Sequence, residues 1–211
     1  MRRAWHTVWL AASLACGGSG STESPDTSGG GADAAANDAS VGDPPDAAIV
    51  PDDDAGVESF VVFATSSTHN GDLGGLAAAD ELCTDLAGSA GLEGEFKAWL
   101  SAPGQPAADR LSHADAPYVR TDGRRVADNW DDLVDGKLAA RIDRDEDGGQ
   151  VSGDVWTGTR ANGQVADSTC GGFETTGDVG ICGSTGATGA GWTDNIQPFC
   201  SSALRLYCLQ Q

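Results

Sequence analysis

Residues 58–83 read ESFVVFATSSTHNGDLGGLAAADELC, and the change of period within them decides the fold class. Glu58 to Ser66 is β-branched and aromatic, which predicts a strand. Thr68 to Asp72 is turn chemistry. From Gly75 onward Leu76, Ala79, Leu82, Cys83 and Leu86 recur at spacings of three and four, which predicts a helix closing near Gly88 or Gly91. Further along, Phe96 to Leu100 reads as a strand or a short buried turn, Pro103 to Pro106 as loop, and Tyr118 to Arg120 as a short strand entering the Asp122-Gly123 turn. Asn129 to Val134 suits a short helix with Trp130 and Leu133 inward. Val155 to Thr159 and Leu204 to Leu209 read as strands. Residues 171–191 are rich in Gly, Ser and Thr with few core residues. The sum is an irregular, loop-rich α+β domain whose long loops need pinning.

Outside this domain the composition shifts twice. Met1-Arg2-Arg3 is basic, Val8 to Ala15 is apolar and too short to span a bilayer, and the small Ala15 precedes Cys16. This is the layout expected of a secretory signal over residues 1–15. The Ala15-Cys16 junction resembles a bacterial lipobox, in which a lipid joins the thiol; Ser13 replaces the Leu usual three residues earlier, and an ordinary cleaved signal is the alternative. Gly17 rather than Asp after Cys16 resembles lipoproteins sorted to the outer membrane. Residues 16–56 hold Gly, Ser, Ala, Asp and Pro with no aromatic, Lys or Arg, the composition of a disordered acidic tether. Its r.m.s. span is about 35 Å, more if its charges extend it.

Residues 57–211 then form one domain with a single core. The formal charge of the chain is −20, and no basic cluster exceeds Arg124-Arg125. Nucleic acid and heparin-like polyanions are therefore excluded as expected partners. An exported domain sits where disulfides persist. With Cys16 lipidated, Cys83, Cys170, Cys182, Cys200 and Cys208 remain, an odd number whose connectivity spacing alone leaves open.

FVVFATSSTHNGDLGGLAAADELC and GLEGEFKAWLS, followed in order by WDDLVDG, VWTGT, STCGGF and FCSSALRLYC, resemble the endostatin module of collagens. They are still more similar to a bacterial endostatin-like domain family of unknown function in surface lipoproteins. The resemblance covers roughly residues 58 to 210. It implies a C-type-lectin-like fold with a helix near the start, a loop-rich middle and a last strand paired with the first. It also implies nested disulfides Cys83–Cys208 and Cys170–Cys200. Cys182 has no partner in that scheme: a protected free thiol is the favoured reading, beside a covalent link to another molecule or competition for Cys170. The family's N-terminal His cluster and Arg patch have no equivalents here.

Two segments carry candidate ligand chemistry. Asp143, Asp145, Asp147, Gly148 and Asp154 match the D-x-D-x-D-G-x5-acid spacing of calcium loops, where hard oxygens alternate and Gly makes the sharp turn. Asp154 is shorter than the usual Glu, and a solvated acidic loop is the favoured alternative. Trp192-Thr193-Asp194-Asn195 before Cys200 resembles the Trp-Asn-Asp region of calcium-dependent lectins, which would make Asp194 and Asn195 a ligand or calcium loop. The partner tripeptide of that motif is absent, so Trp192 in the core and Asp194 capping a turn is the competing reading.

No nucleophile elbow, zinc-binding His pair or phosphate loop is present, and His69 and His113 sit in separate polar contexts. The expectation is a non-enzymatic adhesin or recognition domain, attached to the membrane through Cys16, with a glycan or extracellular protein as partner. A calcium-dependent lectin is the second reading and a hydrolase the third.

Overall fold

The computed structural model describes residues 58–211, so the leader, Cys16 and the tether lie outside the described residues. In chain order the elements are β1 (Phe60–Ala64), α1 (Leu76–Ser89), β2 (Phe96–Ala98), α2 (Ala107–Arg110), β3 (Tyr118–Arg120), β4 (Arg125–Ala127), α3 (Trp130–Leu133), β5 (Asp154–Trp156), β6 (Cys182–Ser184), a 3-10 turn (Ala190–Trp192) and β7 (Arg205–Gln210). The architecture is mixed α+β.

The last strand is the hub of the sheet. β7 runs antiparallel to β1 with Phe63 opposite Cys208, and on its other side pairs first with β5 in parallel, then with β2 antiparallel. β3 adds to β1 in parallel and β4 closes that edge, giving the order β4-β3-β1-β7-β5-β6.

Alternation along β1 and β7 divides the interior into two cores. Phe63, Leu206 and Cys208 face α1, meeting its buried stripe Leu76, Ala79, Cys83 and Ala87. Val62, Ala64, Tyr207 and Leu209 face the irregular middle, where Trp99, Trp130 and Trp192 gather. Trp99 is 5.0 Å from Trp192 and 5.8 Å from Trp130, ring centre to ring centre. Each buried aromatic side chain of this size removes some 150–250 Å² from water.

α1 ends as its glycines dictate. Gly91 adopts φ 76°, its N–H donates to Gly88 O, and Leu92 N–H reaches back to Ala87 O at 2.9 Å, the two bonds of a Schellman stop. The helix is also tied sideways to β2: Asp80 accepts from Ala98 N–H and from Arg110, and Thr84 Oγ1 donates to Phe96 O.

Candidate functional site

Two disulfides set the frame. Cys83–Cys208 joins α1 to β7 with Cα atoms 5.5 Å apart, and Cys170–Cys200 closes the late loops at 5.7 Å. Cys182 is the free thiol, fully buried on β6. Burial first, and then the charge of Asp154, push that thiol up to about 12, so it stays protonated at neutral pH and is not a nucleophile there.

The inner disulfide clasps an unusual turn. Cys170, Gly171, Gly172 and Phe173 all have positive φ, at 51°, 64°, 83° and 64°. Left-handed backbone costs an L-residue about 1–2 kcal/mol, which here falls on Cys170 and Phe173. The disulfide, the Thr169 side chain accepting from Gly172 N–H, and the fully buried Phe173 ring hold the turn in place.

Beside it runs the segment 193–200, fixed at both ends. The buried Thr193 hydroxyl accepts from Trp99 Nε1 at 2.7 Å and donates to Thr159 O at 2.9 Å, while its carbonyl accepts from Thr157 Oγ1 at 2.5 Å. At the far end Cys200 carries the disulfide, and its N–H donates to Asp178 O at 2.8 Å. Between them Asn195 N–H donates to Cys182 O, Cys182 N–H to Ile196 O, and Gly180 N–H to Pro198 O. The segment is therefore laid against residues 178–182 as an added ladder.

Such close backbone approach explains two glycines of the 171–191 stretch. A Cβ at Gly183 would strike the Trp192 carbonyl, and one at Gly180 would lie 2.6 Å from the Cys170 sulfur. Trp192 itself is fully buried, while Asp194 and Asn195 are exposed on the anchored segment. Next to them Ile196 is 48% and Phe199 73% exposed, the large hydrophobic residues that the described surface leaves in water. A lone exposed hydrophobe means little. Two flanking Pro198 on backbone already immobilised present apolar area whose ordering cost on binding is largely met beforehand. Nothing in their residue types marked Ile196 and Phe199 as surface groups; only the ladder shows it.

In the acidic loop, two of the four candidate carboxylates already have protein partners. Asp143 pairs with the Arg120 guanidinium and lies 3.8 Å from Arg144. Asp145 Oδ1 accepts from Gly149 N–H at 2.6 Å and Asp147 N–H at 3.2 Å, capping its own turn. Asp147 is exposed, and Asp154 belongs to β5. Among the described residues no three His, Cys, Asp or Glu side chains are grouped to hold a metal, so Asp143, Asp145, Asp147 and Asp154 are not gathered into a cage; the Asp143 and Asp145 oxygens go to arginine and backbone amides. Glu146, which spacing had not singled out, is the buried acid of this loop: it accepts from Ser66 N–H at 3.0 Å and from the Ser66 hydroxyl, pinning the loop to the end of β1.

The two histidines serve separate local contacts. His69 Nε2 lies 2.8 Å from Ser67 Oγ, burial lowers its pKa, and no carboxylate backs its ring among the described hydrogen bonds. His113 stacks on Trp130 at 4.0 Å and bonds the Ala108 carbonyl. No protein-family model matches this chain, and no curated protein matches it.

Proposed function

We propose that this is an exported, lipid-anchored cell-surface protein whose C-type-lectin-like domain recognises a glycan or extracellular protein without catalysing a reaction. Lipid on Cys16 and the acidic segment 16–56 would hold the domain off the outer membrane. The pairing of β1 with β7, the early helix and the nested disulfides support the lectin-like architecture. The observation that carries the binding reading is the anchored segment 193–200 presenting Ile196 and Phe199 to solvent. Rigid loops on a fixed scaffold are where such folds place recognition.

A screen of the full-length protein in nanodiscs against glycan and matrix-protein arrays tests this, with calcium and with chelator. Binding should persist in chelator and fall about 30-fold or more in F199A, the loss expected of a buried aromatic anchor. Binding that F199A and I196S leave intact would remove the segment as the recognition surface. Asp194 and Asn195, exposed beside Ile196 with no hydrogen bond from their side chains among those described, favour a calcium-dependent lectin as the second reading. That reading requires binding that chelator abolishes and D194A loses.

A further inference from the structure

A second surface follows from an imbalance of charge. The chain has 32 acidic residues against 12 Lys and Arg, so nearly every cation should find an acid. Most described ones do: Lys97, Arg110, Arg120, Arg125, Arg144 and Arg160 are ion-paired. Arg205 instead donates to the Thr65, Ser66 and Ser152 carbonyls. Lys137, Arg124 and Arg141 have neither kind of partner among the described contacts; Lys137 stands alone, whereas the two arginines line one cleft of about 300 Å³ together with Arg120, Asp143 and Thr188.

Their placement is built rather than incidental. Arg120 N–H donates to Arg124 O at 2.9 Å across the tight β3–β4 turn, where Gly123 takes φ 79°. The Arg120 guanidinium donates to Arg141 O at 3.3 Å. One buried arginine, itself neutralised by Asp122 and Asp143, thus holds two free guanidinium residues at the same cleft through their backbones. The acid of the cleft, Asp143, is taken by Arg120 and Arg144, so Arg124 and Arg141 line it without an ion-pair partner among the described residues and are open to an anion supplied from outside. Buried Ala140 keeps the wall small, and Thr188 adds a hydroxyl donor. The volume is at the small end for ligand clefts. Asp143 at the margin and the −20 net charge repel polyanions, leaving room for one charged group.

We infer that the Arg124–Arg141 cleft binds a single carboxylate, as carried by an acidic sugar or a peptide C-terminus. The site is independent of the 193–200 segment. It is tested by ligand-observed NMR titration of the full-length protein with methyl glucuronide, N-acetylalanine and, as neutral control, methyl glucoside. Saturable binding of either acid, with none for the glucoside, is expected, and which acid binds identifies the source of the carboxylate. R124Q/R141Q should weaken it at least about tenfold, the loss of charge-assisted hydrogen bonds, while its melting temperature holds because both side chains are exposed. R125Q, paired with Asp128 outside the cleft, should bind as the parent does. Equal binding of glucoside and glucuronide, no binding of either acid, or an unaltered R124Q/R141Q overturns the inference.

Discussion

Removing the outer disulfide is the sharpest test of how this domain holds together. Cys83 and Cys208 are 125 residues apart, and both are fully buried between α1 and β7. Loop-closure entropy for that separation puts the staple at about 4.9 kcal/mol, against about 3.6 kcal/mol for the 30-residue Cys170–Cys200 closure. The inner value is reduced further in practice, because opening it also lets the left-handed turn relax. C83A/C208A should therefore lose more stability than C170A/C200A. For a domain of this size about 5 kcal/mol corresponds to a fall of roughly 10–20 °C in melting temperature. Noncovalent ties of α1 through Asp80 and Thr84 remain, so the variant should still melt cooperatively. Calorimetry of the full-length protein without reductant measures both variants. A C83A/C208A midpoint within a few degrees of the parent, or an inner variant that is the less stable, would refute the reasoning.

Other consequences are as direct. Unfolded without reductant, the lipidated chain should take up one alkyl group, on Cys182, and none while folded at pH 8; a second label in denaturant would fall on an unlipidated Cys16, and labels on the other four would deny the staples. G172A should cost about 1–2 kcal/mol in chemical denaturation, since φ 83° disfavours any Cβ although one there would meet Ala102 and Pro103 only at ordinary van der Waals distance, and a cost near zero would contradict the left-handed turn. The Arg120 hydrogen bond is the main cause holding the Asp122 carboxyl below its usual range, so it contributes stability above the ordinary carboxylate pKa that is lost as pH falls through the lower folded value. Melting curves of D122N and the parent should converge below about pH 4 and separate above it; parallel curves would dismiss the pairing. Excess calcium should leave the parent's melting temperature unchanged, because Arg120 already occupies Asp143, and a calcium-dependent rise would reinstate the acidic loop as a site.

Much of the scaffold was legible because it rests on local periodicity. The helix stripe, its glycine stop and the short Asn129-capped helix with Trp130 and Leu133 inward can all be read from spacing alone. The 171–191 stretch reads as rich in Gly, Ser and Thr with few core residues, and of its hydrophobic side chains Phe173 and Cys182 are the ones in the buried core; what composition does not show is why the glycines are there. Gly180 and Gly183 are there because the Cys170 sulfur and the Trp192 carbonyl pack against their bare Cα positions. Composition reads glycine as freedom, whereas here it permits contact, and only the tertiary partner distinguishes the two. The partner of the acidic loop was hidden for a related reason. Carboxylate spacing is visible in one dimension, but the arginine that answers Asp143 arrives from β3, more than twenty residues earlier. Ile196 and Phe199 were invisible for the converse reason, since only a completed ladder shows which hydrophobes it leaves outside.

The strained turn and the exposed segment belong to one mechanical unit, and this has a consequence for binding. Two non-glycine residues at positive φ store about 2–4 kcal/mol, close to the roughly 3.6 kcal/mol that the Cys170–Cys200 closure supplies. Without that bond the turn has little reason to stay left-handed, and Cys200 is left with only its backbone bonds to Asp178 O and from Gly71 N–H. The sheet, the Trp cluster and the outer staple do not depend on it, since β1, β2, β5 and β7 pair among themselves. C170A/C200A should thus release the Ile196–Phe199 surface before it disturbs the core. Its array binding should drop about as far as that of F199A, while the cooperative melt survives at lower temperature. Equal binding by C170A/C200A and the parent would mean that the ladder to residues 178–182 suffices to present the segment. The inner disulfide would then be a fastening of the fold rather than of the recognition surface.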